Sequence, residues 1–137
     1  MLAPSHLAIL DDTGPSARPA GPPTRPGLWY ELLLHRPCAE HENERSPEPR
    51  ELAAPDSPRQ AIRMLRGSVR AWAGRMSPRD RYAILEALDD HSDNGLSGDV
   101  QAVAALHRGL PVGFAHTAQN GEHLEWVVRP VRFLTLV

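Results

Sequence analysis

The sequence predicts an α+β fold, three helices packed on a small antiparallel sheet, and three observations carry that expectation. Residues 59–76 place Ile62, Leu65, Val69, Trp72 and Met76 at the 3,4 spacing of one helix face. Ser57-Pro58 and Ser77-Pro78 each join a capping residue to a proline at the first helical position, so two helices start in succession. Asn120-Gly121 lies between two apolar stretches and is a strong short-range hairpin signal.

Taken in order, His6 to Leu10 reads as a short strand, and Asp11 to Pro26 as a Pro/Gly/Ser linker. Leu28, Tyr30, Leu32 and Leu34 alternate with Trp29, Glu31, Leu33 and His35, so residues 28–36 predict a strand with an apolar face, stopped by Pro37. Cys38 to Pro58 is acidic and proline-broken, and reads as a linker or surface loop. Most of the fourteen prolines fall in the first 58 residues. The expected organisation is a Pro-rich N-terminal segment, 1–57, with one or two strands and flexible linkers, and a helical and hairpin core domain, 58–137.

The helix starting near residue 58 should run to about Met76. Gly67 and Gly74 fall away from its apolar seam, at about 1 kcal/mol each relative to alanine; they either mark close approach of another surface or are simply tolerated. A second helix from Ser77 turns Tyr82, Ile84, Leu85 and Leu88 inward and Glu86, Asp89 and Asp90 outward. A third, capped by Ser97 and stopped by Gly109, buries Val100, Val103 and Ala104, with His107 at the end of the same side, and presents Gln101, Ala105 and Arg108. A two-residue turn at Asn120-Gly121 would set Gln119 opposite Glu122, Ala115 opposite Trp126, Thr117 opposite Leu124, Phe114 opposite Val127 and His116 opposite Glu125. After Pro130, Val131 to Val137 is expected as a final strand pairing with 28–36.

Composition narrows the functional classes. The chain has 137 residues, 41% of them hydrophobic, and a formal charge of -2. One cysteine, Cys38, precludes an intrachain disulfide. No segment has the length of a membrane span or the layout of a signal peptide, so the expected compartment is cytoplasmic, without membrane association. All fifteen basic residues are arginine, which fits the codon bias of a GC-rich genome and also favours bidentate contact with carboxylate or phosphate.

Four of these arginines form the main candidate site. Arg59, Arg63, Arg66 and Arg70 fall within an arc of about 60° beside the apolar seam, making the helix cationic and amphipathic. This points to a non-enzymatic domain whose partner is an acidic protein or a second copy, a homodimer. Three helices followed by a hairpin also resemble the element order of winged-helix DNA-binding domains. That resemblance implies a nucleic-acid partner read by Gln101 and Arg108 on the third helix, beside a carboxylate, Asp99, that phosphate would repel.

Three further patterns are weaker. His35, Cys38 and His41 have ligand types that zinc accepts, but one thiolate and two imidazoles fall short of a structural set. Asp90 to Gly95 matches the start of a calcium loop, with Gln101 where a bidentate glutamate is required. The expected His116–Glu125 pair suits acid-base work but lacks a nucleophile or a phosphate loop. The sequence makes no positive case for an enzyme and implies no cofactor.

Overall fold

The structure of the chain is a computed structural model that describes residues 21–37, 47–91 and 97–135. Its elements run β1 (Thr24–His35), β2 (Glu48–Ala53), α1 (Pro58–Ala73), α2 (Pro78–His91), α3 (Ser97–His107), β3 (Val112–Thr117) and β4 (His123–Leu134). The strands form one antiparallel sheet in the order β2-β1-β4-β3. The expected α+β architecture is therefore present. The hairpin does not stand apart as a wing, because β4 pairs with β1 along its whole length, from Thr24 opposite Leu134 to His35 opposite His123.

The helices cover one face of the sheet. Leu28, Tyr30, Leu32 and Leu34 of β1, and Leu124, Trp126 and Val128 of β4, point into a core shared with Ile62, Leu65 and Val69 of α1, Ile84 and Leu88 of α2 and Leu106 of α3. Alternation along β1 thus sets which half of each strand meets the helices. The α1 seam is as expected, with Ile62, Leu65 and Val69 buried and Trp72 and Met76 half-buried at its end.

Local chemistry fixes the helix ends. Ser57 Oγ accepts the Gln60 backbone N–H at 3.1 Å, while Gln60 Oε1 accepts from the Asp56 N–H at 2.7 Å, a reciprocal cap on α1. α1 ends at Ala73, a turn before the expected Met76, and the Arg81 guanidinium reaches back to the Ala73 and Gly74 carbonyls at 3.4 Å each. α3 closes on Gly109 at φ 82, with Leu110 N–H donating to Ala105 O and Gly109 N–H to Leu106 O, the paired bonds of a Schellman stop.

Several expectations are corrected. Residues 48–53 form β2, an edge strand inside the stretch expected to be a loop; Pro49 is accommodated there because the β1–β2 register shifts between Leu32 and Leu33. β1 begins at Thr24, before the expected Leu28. Pro130 does not interrupt β4, since β3 pairing ends at Val128 and the missing N–H lies beyond it. On α2, Tyr82 is 68% exposed and Leu85 is also at the surface; on α3, Val100 is 62% exposed and His107 is exposed, so Leu106 and the half-buried Ala102 and Val103 make the contact with the core.

The hairpin register is one residue off the expected one. Phe114 pairs with Trp126, Ala115 with Glu125, His116 with Leu124 and Thr117 with His123. Ala118 N–H donates to Glu122 O and Gly121 N–H to Ala118 O, with Gly121 at φ 90, so the loop is a three-residue turn whose last residue is left-handed. The core decides this: the observed register turns Val112 and Phe114 inward beside Trp126, whereas the two-residue turn would bury Gly113 and Ala115. The strand expected at 6–10, most of the calcium-like run at 90–95, Cys38 and His41 lie outside the described residues.

Candidate functional site

Helix α1 positions the arginines by its phase. Arg59, Arg70 and Arg63 fall within about 40° of one another on an exposed flank of the helix, and Arg66 lies on the side nearest Ile62. Arg59, Arg63 and Arg70 are exposed, whereas the Arg66 side chain is 14% exposed and its Nη1 lies 3.2 Å from Asp99 Oδ1 on α3. The structure thus divides the four candidates. One is spent holding α3 to α1, and three form an outward cationic face with no ion pair to any acid among the described residues. Glu86, expected to face outward, is exposed on α2 and forms no ion pair with them.

Gly67 sits on the flank of this face. A Cβ placed there would meet nothing within 4 Å, so no part of the described chain exploits the missing side chain. Gly74 meets only helix carbonyls, at 3.5 and 3.7 Å. The glycines leave a low edge beside the three guanidinium groups.

The other polar clusters are anchored within the fold. Glu51 of β2 accepts from Tyr30 OH at 2.5 Å, Ser68 Oγ at 2.6 Å and Trp72 Nε1 at 3.1 Å, and Ser68 Oγ in turn accepts from Trp126 Nε1 at 2.9 Å. Burial alone would raise the Glu51 carboxyl, but these three donors, helped by Arg75, outweigh it and hold it below its ordinary value. Burial first, and then the bond to Glu51, push the Tyr30 hydroxyl far above the usual tyrosine value. This network ties an edge strand to α1. The sequence concealed it by setting Glu51 among prolines.

Asp80 does the same for α2. Its Oδ2 accepts the Gln119 N–H at 3.2 Å and lies 3.0 Å from Ser77 Oγ, while Oδ1 is 3.0 Å from His116 Nε2. Burial would raise this carboxyl, and the Gln119, His116 and Ser77 hydrogen bonds together lower it. A serine, a histidine and an aspartate meet here, yet Ser77 contacts Asp80 and not His116. The order is wrong for a base to activate a nucleophile. The network borders a crevice of ≈ 400 Å³ between the end of α1, the start of α2 and the hairpin, lined by Leu34, Trp72, Met76 and Asn120 among others.

The register separates His116 from Glu125, so the expected acid-base pair does not form. His116 faces the helices and Glu125 the opposite side, where Glu125 Oε1 lies 3.2 Å from His35 Nε2 and 3.4 Å from His123 Nε2. His123 Nδ1 lies 2.7 Å from Thr117 Oγ1. Of the zinc-type set, His35 therefore stands beside Glu125, and the other two members lie outside the described residues. Among the described residues no group of three His, Cys, Asp or Glu side chains is arranged to hold a metal ion. The DNA-reading candidates, Gln101 and Arg108, are both exposed on or just past α3. No helix among the described residues is long and apolar enough to cross a membrane.

Comparison with protein-family models, with curated proteins and with solved structures finds no match.

Proposed function

We propose that this chain is a non-enzymatic interaction domain that docks an acidic protein partner on the outer face of α1. The observation supporting this most directly is the exposure of Arg59, Arg63 and Arg70 in one arc, with no ion pair to an acid among the described residues. Guanidinium groups held along a rigid helix match carboxylates spaced along a partner, and their fixed charge speeds encounter as well as selecting the partner. The low edge at Gly67 admits a partner backbone close to the helix. Arg66 serves the fold.

The test is fluorescence anisotropy with a labelled, glutamate-rich peptide at low salt, with a labelled duplex DNA run in parallel. The charge-reversed Arg59→Glu/Arg63→Glu/Arg70→Glu protein should lose peptide binding while keeping its circular-dichroism spectrum. Equal peptide binding by the reversed protein contradicts the proposal. The competing reading, DNA binding through Gln101 and Arg108, predicts instead that duplex is retained and that changing those two residues alters sequence preference.

A further inference from the structure

The two edges of the sheet differ in how they meet water. β2, at one edge, carries Glu48, Pro49 and Arg50, and its register against β1 shifts between Leu32 and Leu33. Charge, proline and a bulge are the devices by which natural sheets keep an edge from pairing with another chain. β3, at the other edge, reads Val-Gly-Phe-Ala-His-Thr, with no proline and no Asp, Glu, Lys or Arg, and its register against β4 is unbroken. Among the described strands only β4 pairs with it.

The hairpin turn fixes which backbone groups of β3 face outward. Ala118 N–H donates to Glu122 O at 2.8 Å. Antiparallel pairing alternates, so the backbone groups of Val112, Phe114 and His116 turn to β4 and those of Gly113, Ala115 and Thr117 to the open edge. These last three residues are all exposed, and their side chains are small enough to leave the outward N–H and C=O groups accessible to another strand. On the helix side, Phe114 is braced against Trp126 with ring centroids 5.8 Å apart, and His116 Nε2 is held 3.0 Å from Asp80 Oδ1. The edge is thus fixed in the extended form that strand addition requires.

We infer that β3 pairs antiparallel with β3 of a second copy about a two-fold axis at Ala115, joining two four-stranded sheets into one continuous sheet. The edge is its own complement. Its three outward-facing residues are symmetric about Ala115, so Ala115 meets Ala115 of the second copy and Gly113 meets Thr117 of the second copy, giving about six backbone hydrogen bonds. The same register sets Phe114 opposite His116 of the second copy, once on each side of the axis, in the closely spaced pairs through which aromatic side chains stabilise a sheet. Neither strand carries an Asp, Glu, Lys or Arg to repel its own image. Because β2 is protected, β3 does not continue head to tail onto it, and the assembly closes as a dimer in place of an open fibre. The contact leaves the α1 arginine face out of the interface.

The test is sedimentation equilibrium of the full chain from low to high micromolar concentration. The mass is expected to rise from 15.1 kDa toward twice that value. Over the same range, amide hydrogen exchange at Ala115 and Thr117 should slow. Ala115→Pro deletes the N–H at the axis without removing a bond to β4, a position where an edge strand accepts proline. Ala115→Arg sets two guanidinium groups directly opposite each other. Each variant should keep the circular-dichroism spectrum and weaken the dimer at least tenfold. Arg59→Glu/Arg63→Glu/Arg70→Glu should leave the mass unchanged, which separates this interface from the partner-docking proposal. A monomer at every concentration overturns the inference, as does a dimer indifferent to both Ala115 variants. Slow exchange at Ala115 and Thr117 in a monomer overturns it as well, since another part of the same chain then covers the edge.

Discussion

Removing the Glu51 carboxylate should be the most damaging single change to a side chain that is not itself in the apolar core. Glu51→Ala deletes three charge-assisted hydrogen bonds at once, from Tyr30, Ser68 and Trp72. The loss is not uniform. Trp72 is half-buried and can turn its N–H to water, and Ser68 keeps the Trp126 N–H. Tyr30 is 2% exposed and its hydroxyl is left without the acceptor it used. An orphaned buried donor costs about 1–3 kcal/mol, and each lost bond to a charged group about 1.5–3 kcal/mol. Because Glu51 itself is half-buried, solvent offsets part of this, and about 3 kcal/mol is expected, roughly a 10 °C fall in Tm for a chain of this size. Tyr30→Phe should cost only about 1 kcal/mol, since Glu51 retains two donors, and in the Glu51→Ala background it should cost nothing or be mildly stabilising. Urea denaturation of the four proteins of this cycle is the assay. A Glu51→Ala loss below about 1 kcal/mol, or strict additivity with Tyr30→Phe, would refute the reasoning.

Acid should destabilise the fold through Glu51 and Asp80. Both carboxyls are held below their ordinary values, so their contribution is complete above pH ~4.5 and is lost as pH falls through the depressed folded values, which urea midpoints at neutral and acid pH will register. Tyr30 has the opposite sign: its raised value makes its contribution complete below pH ~10 and lost above it. A Tyr82→Phe protein, with Tyr30 the one remaining tyrosine, should therefore show no phenolate absorbance step until it unfolds. Gly121→Ala forces a side chain into φ 90 and sets its Cβ 3.3 Å from Pro37, and should cost about 1–2 kcal/mol by thermal denaturation. Arg66→Ala and Asp99→Ala should each cost about 0.5–1 kcal/mol, and the double variant no more than either, since the pair is partly solvated.

Helix α1, the second helix start at Ser77-Pro78, the Gly109 stop and the presence of a hairpin were legible because each rests on local pattern or capping chemistry. The failures share a cause, which is that long-range packing overrides local preference. Asn120-Gly121 favours a two-residue turn, but the sheet buries Val112 and Phe114 in preference to Gly113 and Ala115, and that slip moves His116 to Asp80 and Glu125 to His35 and His123. β2 was hidden because its proline and charges suit an edge strand as well as a loop. Tyr82 and Leu85 follow a helical spacing, yet α2 meets the core through Ile84 and Leu88. For the arginine stripe, the sequence grouped Arg59, Arg63, Arg66 and Arg70 as one set, and only the fold separates Arg66 from the other three. Its partner, Asp99, is 33 positions away and carries no local signal.

The most direct measurement of the central claim compares four single variants, Arg59→Gln, Arg63→Gln, Arg66→Gln and Arg70→Gln, for binding to the same glutamate-rich peptide. Loss of one exposed charge contact is worth about 0.5–1 kcal/mol, a two- to five-fold change in Kd. The account predicts that Arg59, Arg63 and Arg70 variants each weaken binding by that amount and that the Arg66 variant binds like the unaltered chain. Equal weakening by all four, or none by any, would contradict it.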